Sequence, residues 1–135
     1  MSTQDVNWDE IESLVEVLSK KILKLPQNFS SITTLSRGGL VPSRLLADHL
    51  GIKKIHADKK KISSKSLFVD DIFDTGDTFD EILPRVDDPS KFVYATLFAR
   101  RGKKYPKQLV YARKTTDDAY VVFPWDKLEF QRSKK

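Results

Sequence analysis

At 135 residues the chain is sized for one compact domain, and 39% apolar content with 8 Phe, 4 Tyr and 2 Trp supplies a core, which excludes a disordered tail. With no Cys there is no disulfide, thiolate nucleophile or Cys-ligated zinc, and 2 His cannot build a zinc site alone. The net charge of +5 raises the question of nucleic acid, but no zinc-finger, RNP or basic-heptad pattern accompanies the clusters at Lys59–Lys61, Arg100–Lys104 and Arg132, Lys134, Lys135. These read as solvated loops and tails, and nucleic acid is not the expected partner. No stretch approaches the roughly 18 apolar residues of a membrane span, and MSTQDVNWDE is too acidic and polar for a signal peptide. The expectation is a soluble, cytoplasmic protein without a membrane partner.

In chain order, Asn7 is placed to cap a helix with Asp9 and Glu10 in its first turn. Ile11, Leu14, Val15, Leu18, Ile22 and Leu25 recur at helical spacing until Pro26. SITTLS (31–36) predicts a short strand that runs through Arg37-Gly38-Gly39 into a second helix, LVPSRLLADHL, closed by Gly51. Strands are expected over 52–57 and 66–70, a third helix over 78–86, a long strand over 92–99, and two more at QLVYAR and AYVVF. Strands alternating with helices define an α/β class with a mainly parallel central sheet flanked by helices, one domain over 1–135. Gly38, Gly39 and Gly76 fall at two strand-to-helix junctions, where open α/β sheets bind ligands and backbone N–H groups can cradle anions.

The most unusual stretch is LFVDDIFDTGDTFDE (67–81), with six carboxylates, Asp70, Asp71, Asp74, Asp77, Asp80 and Glu81, around one turn. An EF-hand fails, because Ile72 and Thr75 stand where an oxygen ligand and a glycine are required. Asp74-Thr75-Gly76 has the letters of an aspartic protease but precedes a helix, without the second copy or all-β setting such enzymes need. A Walker A loop is absent, and no two aspartates at the strand end have the one-residue spacing of a haloacid-type phosphatase. What remains is one loop with two tasks. Asp74 to Thr78 offers backbone N–H groups and two hydroxyls to a phosphate monoester, while Asp70 and Asp71 can accept from a vicinal diol or hold Mg²⁺. Phosphate on one side and diol on the other describe a ribose 5-phosphate.

VDDIFDTGDT resembles the signature of type I phosphoribosyltransferases, which use phosphoribosyl pyrophosphate (PRPP). SRGGLVPSRLLADHLG resembles the pyrophosphate loop and following helix of the bacterial xanthine-guanine members, and VNWDEI, TLFARRG and YVVFPWD match that subfamily in order. The resemblance implies a type I phosphoribosyltransferase-like fold. It also implies transfer of the 5-phosphoribosyl group from PRPP to a 6-oxopurine (guanine, xanthine or hypoxanthine), giving a nucleoside 5′-monophosphate and pyrophosphate. It implies Mg²⁺ as cofactor and a homodimer or homotetramer.

By the same resemblance Arg37 and Gly38 bind pyrophosphate, with Ser36-Arg37 a candidate cis peptide. Asp70 and Asp71 face the ribose hydroxyls, Asp71 also being the metal contact. Asp74 is the catalytic acid/base near the purine N7, and Thr75, Gly76, Asp77 and Thr78 form the 5-phosphate loop, Asp77 standing where a small or basic residue is usual. Arg100 takes the place of a lysine that contacts the 6-oxo group, Tyr120 stacks on the base, and Val121 and Val122 offer main-chain groups to its 2-position. One departure is large. Family members carry a long mobile loop before the signature, whereas here Asp58 to Ser66 has nine residues. A non-catalytic PRPP- or nucleotide-binding protein that has lost its lid is therefore the alternative expectation.

Overall fold

The computed structural model describes residues 2–133, so Lys134 and Lys135 of the C-terminal basic cluster lie outside the described residues. The first elements are β1 (Thr3–Asp5), α1 (Trp8–Leu23), β2 (Ser31–Thr34), α2 (Leu40–Leu50) and β3 (Ile55–Ala57). They are followed by β4 (Ser66–Phe73), α3 (Asp77–Ile82), β5 (Tyr94–Ala99), β6 (Leu109–Lys114), β7 (Tyr120–Val122) and α4 (Lys127–Ser133). Five strands form a parallel sheet in the order β3-β2-β4-β5-β6, while β1 and β7 pair in parallel as a separate two-stranded ribbon. The alternation read from the sequence is thus an α/β fold with a parallel sheet.

Asn7 caps α1, its Oδ1 accepting from the Glu10 N–H at 2.8 Å. The helix buries Ile11, Leu14, Val15, Leu18 and Ile22 against one sheet face with Leu46, Leu67, Val69 and Ala95. Burying a side chain of that size contributes about 1.5–3 kcal/mol, so this stripe fixes the face on which α1 sits. The opposite face is aromatic: Phe68, Phe73, Phe79, Phe92 and Tyr94 pack with Ile62 and Ile82. In that cluster the Phe68 and Tyr94 rings stack at 5.2 Å.

Several elements differ from expectation for identifiable reasons. Strand β4 runs three residues past Asp70, because Ile72 and Phe73 still pair with Phe98 and Ala99. Asp70 and Asp71 therefore lie on a rigid strand instead of at its end. The third helix stops at Ile82 and not at Val86, since Pro84 has no N–H to continue it and a tight 3₁₀ turn over Leu83–Arg85 follows. Strand β1 and helix α4 were not foreseen. Three mostly exposed polar residues and seven residues with none buried carry little periodic signal.

Candidate active site

Strands β2 and β4 are neighbours and parallel, so the loop 35–39 and the turn 74–76 emerge at the same sheet end. They line one cleft of about 290 Å³ with Ser36, Gly38, Asp70, Asp71, Thr75 and Thr78 on its walls. Thr34 Oγ1 donates to the Val69 carbonyl at 2.6 Å, tying the two strands together just below. Gly39 must be glycine there: a Cβ would overlap Thr34 Oγ1 and lie 2.6 Å from the Val69 carbonyl. At Gly38 a Cβ would be 3.1 Å from Asp70 Oδ1, so this loop sits directly over the acidic pair.

Asp70 Oδ2 accepts from the Tyr94 hydroxyl at 2.8 Å, and its Oδ1 accepts from the Asp71 N–H at 2.8 Å. Among the described residues neither carboxylate has a cation within ion-pair distance. Burial pushes the Asp70 carboxyl up, and burial with the adjacent Asp70 charge pushes Asp71 well above the usual carboxylate range. Burial, and then these charges, also drive the Tyr94 phenol far up, so it stays a donor. Two uncompensated carboxylates at a cleft fit a divalent cation. Mg²⁺ is commonly held by one or two carboxylates together with substrate oxygens and water, so the fit does not require three protein ligands. No group of three His, Asp or Glu suited to a metal occurs among the described residues.

The turn after β4 needs Gly76 at φ +91°, a left-handed conformation that also leaves its α-carbon face against Phe73. The Asp77 N–H donates to Thr75 Oγ1 at 3.2 Å, and Thr75 and Asp77 are exposed at the mouth.

At the next strand end, Arg100 Nε donates to Asp74 Oδ1 at 2.9 Å and Nη2 to Oδ2 at 3.3 Å. Nη1 donates to the carbonyls of Asp117 (3.1 Å) and Ala119 (2.9 Å). A guanidinium has five N–H donors, so four are used and, among the described residues, one on Nη2 is left. Arg100 is buried at 7% exposure, and its N–H donates to the Phe73 carbonyl at 2.7 Å, which locks the two strand ends together.

The remaining expected residues lie outside this cleft's walls. No peptide bond among the described residues is cis, so Ser36-Arg37 is trans, and Arg37 makes the reversal with φ +75°. Its guanidinium donates to Glu129 Oε2 at 3.0 Å instead of turning into the cleft. Tyr120 is half exposed with its ring stacked on Phe130 at 5.4 Å. Its phenol is raised by burial and then by the charges of Asp126, Asp71, Glu129 and Asp74. The Val122 carbonyl already accepts from the Val6 N–H, and the Tyr120 N–H from β7 donates to Ser2. Alternate residues of a strand turn their main-chain groups to the same side, so Val121 is the β7 residue whose groups face away from β1.

Sequence reasoning missed Tyr94, Glu129 and Phe130. Tyr94 was legible in principle, as the one phenol in a mostly apolar strand whose buried hydroxyl needed a partner. The short segment before β4 is tied down. Ile62 is buried and bridges to Val86, with Ile62 N–H donating to the Arg85 carbonyl and Asp87 N–H to the Ile62 carbonyl. The Ser64 N–H donates to Asp87 Oδ1 at 2.8 Å.

No protein-family model matches the chain. A xanthine-guanine phosphoribosyltransferase of Chromohalobacter salexigens is 27% identical over 143 aligned positions, covering 90% of this chain and 82% of that protein. The xanthine-guanine-hypoxanthine phosphoribosyltransferase of Helicobacter pylori superposes with a TM-score of 0.74 at 18% identity, covering 97% of this chain and 99% of the other. A purine phosphoribosyltransferase from Pyrococcus horikoshii gives 0.70 at 21% identity, over 93% and 94%. The fold is that of the type I phosphoribosyltransferases. Sequence relatives aligned along nine-tenths of the chain are xanthine-guanine phosphoribosyltransferases, so sequence and fold are similar to the same group of proteins.

Proposed function

We propose that the chain is a Mg²⁺-dependent purine phosphoribosyltransferase acting on PRPP and a 6-oxopurine. The single observation that carries this reading is the acidic pair Asp70-Asp71 under the loop 36–39, with the Thr75–Thr78 turn and the Asp74–Arg100 pair at the same sheet end. The C1–pyrophosphate bond breaks, a purine nitrogen bonds to C1, and the base gives up one proton. As positive charge develops on the sugar, Asp70 and Asp71 stabilise it. They hold the ribose hydroxyls, and Asp71 with Asp70 would hold Mg²⁺, which neutralises the departing pyrophosphate when bound. Thr75, Gly76 and Thr78 take the 5-phosphate, with Asp77 exposed at the rim of the same cleft.

Asp74 accepts the base proton at N7, and the free Nη2 N–H of Arg100 donates to the 6-oxo group without breaking the pair. Donor and acceptor side by side match a 6-oxopurine edge and mismatch the 6-amino group of adenine. A mismatched donor costs about 1–3 kcal/mol. Tyr120 stacks on the base and Val121 faces its 2-position. The protein acts in the cytoplasm as a homodimer or homotetramer.

The test is nucleotide formation from PRPP, Mg²⁺ and each of guanine, hypoxanthine, xanthine and adenine, with light scattering for the assembly. The three oxopurines should react and adenine should lag by about tenfold or more, the scale of one unmatched donor. Binding without transfer is the alternative reading, and the activity of the sequence relatives does not favour it. PRPP binding by calorimetry with no product from any base would select that reading.

A further inference from the structure

We propose that α4 is a built-in competitor for both substrates: Glu129 holds Arg37 while Phe130 covers the ring of Tyr120. The inference rests on the assignment of Arg37 to pyrophosphate and Tyr120 to the base. Arg37 belongs to the loop after β2 and Tyr120 to β7, yet consecutive residues of one seven-residue helix engage both. The Tyr120 and Phe130 rings lie 5.4 Å apart at 18°. A base sandwiched between two rings needs about 7 Å, twice a van der Waals separation of about 3.5 Å. Base stacking on that face of Tyr120 therefore requires Phe130 to leave. At the other grip, Glu129 occupies the guanidinium that pyrophosphate would use, and Asp126 adds a second negative charge beside it. An incoming pyrophosphate meets repulsion until α4 moves.

The helix is held loosely enough to be displaced. Among the described residues none of the helix is buried, and none of its side chains belongs to either core cluster. Its root is firm, because Trp125 stacks on Phe123 at 4.9 Å and packs on Trp8 at 6.0 Å. α4 can swing from this root without unfolding the domain. The strap thus lies over Arg37 and Tyr120, the two expected ligand contacts outside the cleft's walls.

The test measures KM for PRPP and for guanine, with Mg²⁺, in the full chain and in Phe130→Ala and Glu129→Ala. Loss of the stacked pair should lower KM for guanine about two- to tenfold. Loss of the exposed ion pair should lower KM for PRPP by up to about fivefold. Because one helix carries both grips, Phe130→Ala should lower KM for PRPP as well, with kcat and circular dichroism unchanged. Unchanged or raised KM values in variants that turn over would overturn the competitor and leave the transfer reading standing. If Phe130→Ala does not fold, the surface variant Glu129→Ala decides alone. A wild-type chain that neither binds PRPP nor forms product overturns the transfer reading, and this inference with it.

Discussion

Arg100 and Asp74 meet as a two-point pair across the ends of β5 and β4, Nε to Oδ1 at 2.9 Å and Nη2 to Oδ2 at 3.3 Å. The arginine is buried and the Asp74 side chain is 47% exposed, so the pair is anchored on one side and open to ligand on the other. Asp74→Asn thus removes both a proton acceptor and the partner of a buried cation. The loss should be about 1–2 kcal/mol, below the cost for fully buried pairs because solvent screens Asp74. Turnover should fall about 10²-fold or more. Urea unfolding and steady-state kinetics check the two effects separately; a variant unchanged in both would remove the pair from the site.

Arg100→Lys tests the proposed contact to the base. A lysine cannot make the planar two-point contact, and it abandons the carbonyls of Asp117 and Ala119. KM for guanine should rise about tenfold and the preference over adenine should shrink, each on the scale of one lost hydrogen bond. An enzyme with unaltered base preference would contradict the assignment.

The acidic pair makes stability depend on pH in a definite direction. Asp71 has its folded-state pKa raised above the unfolded value by burial and the Asp70 charge, so folding favours its protonated form. That contribution is full below the ordinary carboxylate range and is lost as pH rises through the raised value. In the absence of metal, Asp71→Asn should therefore be more stable than wild type at pH 8, on the order of 1 kcal/mol or several degrees in Tm. The gap should close near pH 4. Mg²⁺ with pyrophosphate should raise the Tm of wild type at pH 8 and leave Asp71→Asn nearly unmoved. A wild type that melts higher than the variant at pH 8 without metal would refute the charge account.

Tyr94 connects the aromatic core to the site through one hydroxyl. Tyr94→Phe keeps the stack on Phe68 but strips a donor from Asp70. The expected loss is about 1–2 kcal/mol of stability, with a higher KM for PRPP and little change for guanine, seen by chemical denaturation and kinetics. Equal changes for both substrates would point to general loosening instead.

The segment before β4 behaves as core and not as a gate. Ile62→Ala should cost about 2–4 kcal/mol, and the Ile62 amide should exchange hydrogen as slowly as those of β4. Fast exchange there would contradict the docked segment.

Much of this was legible in particular residues. The helical spacing from Ile11 to Ile22, the capping Asn7 and the alternation of strands with helices were enough to name the class, because periodicity reports directly on which face is buried. The carboxylates of 70–81 announced a site through their density. Their division of labour depended on partners distant in sequence: Tyr94 on β5 for Asp70, Arg100 for Asp74. Local pattern carries no information on such pairings. The same holds for Arg37, whose expected direction into the cleft is changed by a contact with Glu129 on a helix too short and too polar to foresee. Pro84 was legible too, and it ends α3 four residues before Val86.

The most direct measurement follows phosphorus by NMR in a mixture of the protein, PRPP, Mg²⁺ and guanine. The account requires the PRPP resonances to be replaced by those of pyrophosphate and a nucleoside 5′-monophosphate, and by neither when Asp74→Asn is used at the same concentration. PRPP left intact by the folded wild-type protein, or hydrolysed without nucleotide, would contradict it.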